Sequence, residues 1–172
     1  MVSIGGLQAA PGALEEVREL LNSWLIPNDL RTPTERFDDF VRSHKIPSDI
    51  AAELRLLRDD LRLALRPEPG SVDRLNAWVL RLGVAPEIHQ RGITYRHRGG
   101  LAGDMVAVTL DAIATGRWER LKECPDCRWV FYDHTRNSGK RWCRMTAGGP
   151  KGRSCGSIAK VRRFRERQAA TA

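Results

Sequence analysis

Apolar residues recur at helical spacing through the first two-thirds of the chain. Leu14, Val17, Leu20, Leu21 and Trp24 make one such series, and Pro27 with Asn28 ends it. Thr34 stands where a cap belongs ahead of a short helix with Phe37, Phe40 and Val41 on one side. Ser48, directly after Pro47, opens a stronger helix in which Ile50, Leu54, Leu57 and Leu61 are spaced 4, 3 and 4 apart. Its other face carries Arg55, Arg58, Asp59, Asp60 and Arg62, which predicts a solvated charged surface. Beyond a break from Pro67 to Gly70, Ser71 is expected to cap a helix bearing Leu75, Trp78, Val79 and Leu82, with Gly83 as its stop.

The period changes at residues 86–98, where Ile88, Gly92, Ile93 and Tyr95 suit a short β-hairpin. Leu101, Met105, Val108 and Ala112, flanked by Val106, Leu110 and Ile113, then predict a helix apolar over much of its circumference. Such a helix belongs at the centre of a small domain. Trp118 and Leu121 lead from it into a different kind of sequence.

That last segment is set apart by charge. The chain has 172 residues and a net charge of +8, but residues 1–116 hold 14 Lys/Arg against 16 Asp/Glu, a net of −2. Residues 117–172 hold 15 against 5, a net of +10, together with all four cysteines. Such concentration predicts a dedicated polyanion-binding module. The basic residues are 24 Arg and 5 Lys, a bias that GC-rich coding alone can produce, so the preference for Arg carries little weight.

With 41% hydrophobic residues and a mean hydropathy of −0.43 the chain has a globular composition. It has no apolar run of the roughly 18 residues that a membrane span requires. The segment MVSIGGLQAAPG has neither a charged n-region nor a sustained apolar core, so no signal peptide is expected. The expected setting is cytoplasmic, where cysteines bind metal more often than they form disulfides.

Cys124-Pro125-Asp126-Cys127 is a knuckle that aims two thiolates at one ion. Cys143 follows after 15 residues and Cys155 after 11 more. Four thiolates suit one tetrahedral zinc ion and leave no open position for water, so the role is structural. His134 is the alternative fourth donor. A thioredoxin-type use would need a βαβ setting, and the spacing matches neither ferredoxin pattern. Residues 128–133 and 140–143 are aromatic-rich and predict two strands joined through Asn137-Ser138-Gly139. Ile158, Val161 and Phe164 then fall three apart on a terminal helix, with Lys160, Arg162, Arg163, Arg165 and Arg167 on its other faces. Knuckle, hairpin and basic helix follow a treble-clef-like order, in which metal stands in for a core that some 50 residues cannot build alone. The helix can neutralise phosphates, and Arg136, Lys140, Arg141 and Arg144 add cations from the hairpin.

No catalytic constellation emerges. His44, His89 and His97 are scattered, there is no HExxH or GxSxG, and the pairs Asp38–Asp39 and Asp59–Asp60 suit the surface. The chain is expected not to be an enzyme. Trp24 and Trp78 suit the core, as Trp129 and Trp142 suit packing within the cysteine module.

The segments CPDCRWVFYDHTRNSGKRWCRM and CGSIAKVRRFRER resemble the CGNR-type zinc finger of bacterial regulators. The upstream helices, with Leu20–Asn22, LRLLRDDLR at 54–62 and Leu75-Asn76, resemble the ABATE domain that precedes that finger. The resemblance divides the chain into residues 1–118, a helical sensing or dimerising domain, and 119–172, the finger. It implies metal roles for Cys124, Cys127, Cys143 and Cys155, one structural Zn2+, and a nucleoid-associated, DNA-binding, stress-linked transcription regulator whose N-terminal domain senses a small molecule. Lys160 aligns with the Lys of the family motif. Two departures stand out: Thr146–Ser154 lengthens the gap before the fourth cysteine, and Ser157 and Ile158 replace the Asn and Arg of CGNR. The rival reading is a zinc-stabilised module that binds protein or RNA without DNA sequence specificity. The expected fold class is mainly α, with a small α+β zinc module at the end.

Overall fold

The first long helix, α1 (Leu14–Leu21), is only 8 residues long, yet Val17, Leu20 and Leu21 are fully buried. Its neighbours explain this: α2 (Phe37–Ser43), α3 (Ser48–Ala64) and α5 (Gly100–Ala114) all pack on it. The structure, a computed structural model, describes residues 8–66, 68–147 and 152–170. Most of the N-terminal segment MVSIGGLQAAPG, on which no signal peptide is expected, lies outside them, as do Pro67 and residues 148–151 of the long loop.

Leu54, Leu57 and Leu61 of α3 are wholly buried, as their 4, 3, 4 spacing predicts, and α3 packs against α4 (Ser71–Leu82). Gly83 closes α4 in the left-handed region, at φ 61°. The expected hairpin is formed by β3 (Ala85–His89) and β4 (Gly92–Arg96), with Ile88 opposite Ile93. α5 buries Ala102, Met105, Val106 and Ala112 against α1, α3 and α4, as its broad apolar surface predicts.

Three local expectations give way. Trp24 is not on α1, which ends at Leu21; it starts β1 (Trp24–Leu25), paired with β2 (Thr34–Glu35). Thr34 therefore does not cap α2: its hydroxyl donates to Thr32 O, while Glu35 Oε1 accepts from Phe37 N. Ser71 begins α4 but makes no side-chain cap, because its hydroxyl donates backwards to Glu68 O.

The larger correction concerns α3. Arg58 and Arg62, read as solvated, are 2% and 6% exposed. Arg62 donates to Leu21 O at 2.6 Å and Trp24 O at 3.2 Å, so it satisfies a carbonyl at the end of α1 that the helix cannot satisfy itself. Arg58 donates to Ser23 Oγ and to both oxygens of Glu35. A charged residue on an otherwise polar face is buried here because α1 and β2 supply its acceptors.

In the last third, a 3-10 turn (Trp118–Arg120) leads into β5 (Leu121–Glu123), which pairs antiparallel with β6 (Val130–Tyr132). A two-residue hairpin of β7 (Thr146–Ala147) and β8 (Arg153–Ser154) precedes α6 (Cys155–Ala170). Trp118, Leu121, Val130 and Tyr132 belong to the same hydrophobic cluster as α1, α3 and α5, so one core runs through residues 118 and 119. The fold is mainly α with small antiparallel hairpins, and the cysteine module stands at its C-terminal end. Among the described residues no helix is long and apolar enough to cross a membrane.

Candidate metal centre

Cys124 and Cys127 lie in the turn between β5 and β6. Cys124 N donates to Trp129 O, Arg128 N donates to Cys124 O, and Arg128 takes a left-handed φ of 60° to close the knuckle. The strand expected across from β6 at residues 140–143 is absent there; β6 pairs with β5 instead. The reason is Asp133, wholly buried just past β6. Its Oδ1 accepts from Thr135 N and Thr135 Oγ1, and its Oδ2 from Lys140 N and Lys122 Nζ. These bonds gather residues 133–140 into a loop. Burial would raise the Asp133 pKa, but the bonds from Thr135, Lys122 and Lys140 win and hold it below the ordinary carboxylate range.

Cys143 leaves this loop, and β7 and β8 return the chain so that Cys155 N donates to Met145 O at 3.4 Å. The long gap before the fourth cysteine is thus spanned by a small hairpin whose two ends meet beside Cys143. All four sulfurs are buried and lie within 4.8 Å of one another, with Cys127–Cys143 at 3.3 Å and Cys143–Cys155 at 3.5 Å. These are free thiols, well beyond disulfide bonding distance. Four thiolates at about 2.3 Å from a tetrahedral zinc would stand about 3.8 Å apart, close to what the chain presents.

The donor set therefore fits one structural zinc ion, held by Cys124, Cys127, Cys143 and Cys155. Bound zinc would supply a fourfold cross-link and the positive charge that lets all four sulfurs ionise. Hydrogen bonds from its neighbours, Cys127 first, lower the Cys124 pKa, while the bond to Cys124 together with burial raises those of Cys127 and Cys143. His134 is not a ligand in this arrangement; its Nε2 meets Ala9 O at 2.8 Å.

Residues far upstream complete the centre. Asn28 Nδ2 donates to Cys155 Sγ at 3.0 Å, and Ile26 N to Cys127 O at 2.8 Å. Asp126, fully buried in the knuckle, accepts two bonds from the Arg31 guanidinium and faces Arg162 of α6 at 3.4 Å. Asn22 clamps Val130, with Nδ2 donating to its carbonyl and Oδ1 accepting from its amide. Glu123, next to Cys124, is held by Arg62 and Arg66 at 2.6 Å and by Arg128 at 2.8 Å. Burial pushes the Arg62 pKa down to about 10, with Glu123 opposing the shift, so Arg62 stays charged at neutral pH. Sequence spacing points to none of Asn28, Arg31 or Arg62, since each acts across 60 or more positions. The acid Asp126 inside a basic module is the one available signal.

The expected nucleic-acid residues fall into three settings. Lys160, Arg163 and Arg167 share one flank of α6 with Trp142, and Arg162 and Arg165 share the other with Arg31 and Arg153. Arg136 and Arg141 are exposed beyond β6. Lys140 is half-buried with Nζ 5.1 Å from the Phe131 ring centre, and burial lowers its pKa. Arg144 is exposed, and its amide donates to Gln8 Oε1.

Residues 120–168 match the family model of the CGNR zinc finger. No curated protein gives a significant match to the chain.

Proposed function

We propose that the chain is a zinc-dependent, DNA-binding transcription regulator in which α6 and the loop after β6 contact DNA. The observation that carries this reading is an exposed basic helix rooted at its first residue, Cys155, in a four-sulfur centre inside a CGNR finger match. A helix fixed at one end by metal and carrying Lys160, Arg162, Arg163, Arg165 and Arg167 has the rigidity and charge for groove or backbone contact. Arg136, Lys140 and Arg141 extend the basic surface. The role is non-catalytic, since four thiolates fill the coordination sphere.

The ABATE-like helical part, residues 1–118, is the sensing or dimerising half. A recess of 890 Å³ among α4, the β3–β4 hairpin and α5, lined in part by Arg81, Arg96 and Arg98, supports a small-molecule role there. Its effect would reach the finger through Asn28, Arg31 and Arg62. The regulator would act in the cytoplasm, at the nucleoid.

A second reading, a zinc-stabilised module for protein or RNA, is favoured by one detail: Ser157, which replaces the Asn of CGNR, is engaged with Ser154 rather than a partner. Selection of zinc-loaded protein on random duplexes tests both. Recovery of a motif, with log K falling by about 0.9 per phosphate contact as log salt rises, supports the regulator. Salt-dependent binding without a motif supports the module.

A further inference from the structure

Arg96 ends β4 opposite Ala85, and two residues on, Arg98 N donates to Leu82 O at 3.0 Å, which fastens the hairpin to the end of α4. α5 begins directly after, and α3 adds Ile50 and Glu53 to the wall of the 890 Å³ recess that these segments enclose. Four charged side chains line it: Glu53, Arg81, Arg96 and Arg98. Arg81 is already committed, with its guanidinium 2.9 Å from Glu53 and 3.6 Å from the centre of the Trp78 ring. Arg96 and Arg98 are exposed and form no ion pair with any described residue. Three arginines against one glutamate leave the lining at +2, and these two guanidinium groups carry that excess.

Much of the remaining wall is apolar. Leu80 is 81% exposed, and Ile50 and Leu101 are only half-buried. An uncovered leucine in the same recess as two unpaired guanidinium groups suits a ligand with an anionic head and an apolar group. The start of α5 strengthens the positive field: its first turn has no acid and no side-chain cap. Asp104, the first acid along α5, meets His97 Nε2 at 3.1 Å. The carbonyls that end α4 do not offset this field, because Val79 O, Leu80 O and Leu82 O already accept from the amides of Val84, Gly83 and Arg98.

The charge selects the head group. A carboxylate cancels one of the two excess charges. A phosphate monoester carries close to two negative charges at neutral pH and offers several oxygens to two guanidinium forks. We propose that the recess binds a small phosphate monoester, with Arg96 and Arg98 holding the phosphate and Leu80 and Ile50 covering its apolar group. This ligand class rests on the small-molecule role given to the recess above.

Calorimetric titration of the zinc-loaded full chain with phenyl phosphate tests it. Wild type should bind a single equivalent in the recess, and Arg96→Gln/Arg98→Gln should weaken binding about tenfold or more, the scale of lost charge-assisted bonds. Lys45→Gln/Arg91→Gln, which removes two exposed cations that do not line the recess, should stay within about twofold of wild type. Leu80→Gln should weaken phenyl phosphate about threefold or more and leave inorganic phosphate unchanged, an effect that charge alone does not produce. No binding of phenyl phosphate by wild type, equal losses in the two cation pairs, or benzoate bound as tightly as phenyl phosphate overturns the proposal and leaves sensing to another ligand. An unchanged duplex affinity with the recess filled by phenyl phosphate overturns sensing through this recess and leaves the site in place.

Discussion

Asn28 and Cys155, 127 positions apart, meet through a 3.0 Å hydrogen bond from the side-chain amide to the sulfur. That bond ties the segment after α1 to the residue that both closes the metal centre and starts the basic helix. A hydrogen bond to a thiolate eases its charge and fixes its direction. The centre is therefore built by the whole chain, and the orientation of α6 depends on residues outside the finger.

Asn28→Ala should leave the fold intact and weaken zinc retention. Residues that orient metal ligands typically account for about 10–100-fold in metal affinity. Competition with a chromogenic chelator measures it, and wild-type retention would show that the Asn28 bond contributes nothing to the centre.

Arg62→Ala should destabilise the protein by about 3–5 kcal/mol, the usual cost of removing one partner of a buried ion pair. Glu123 would remain buried with Arg66 and Arg128 only, and the carbonyls of Leu21, Trp24 and Arg128 would each lose a donor. Urea unfolding of the zinc-loaded protein is the measurement. A loss below 1 kcal/mol would mean that Arg62 is solvated after all.

Asp133 carries a pH signature. Its pKa is lower in the folded chain than in the unfolded chain, so the stability it contributes is fully present above the ordinary value of 3.8 and is lost as pH falls below it. Asp133→Asn should be less stable than wild type at pH 6, and the gap should narrow as pH drops below about 4. Acid release of zinc affects both proteins and falls out of the difference. A gap that is constant with pH would contradict the assignment.

Much of this architecture is legible from residue spacing. The helices at Ser48–Ala64, Ser71–Leu82 and Gly100–Ala114 follow from apolar periodicity, and the metal centre from the knuckle with two further cysteines. Periodicity failed where a polar residue finds its partner far away. Arg58 and Arg62 read as surface because their acceptors, Glu35, Leu21 O and Glu123, lie on other elements. The partner of β6 differs from the one spacing predicts for a related reason: residues 140–143 are aromatic enough for a strand, but Asp133 binds Lys140 N and so claims the start of that segment for a loop.

The central claim is that four cysteines from one chain hold one zinc and root α6 in the core. Metal content by mass spectrometry, on protein purified under reducing conditions without added metal and beside Cys155→Ser, tests it most directly. The account predicts one zinc per wild-type chain and loss or much weaker retention in Cys155→Ser. Folded wild-type protein with reduced thiols and no zinc, or full retention without Cys155, would contradict it.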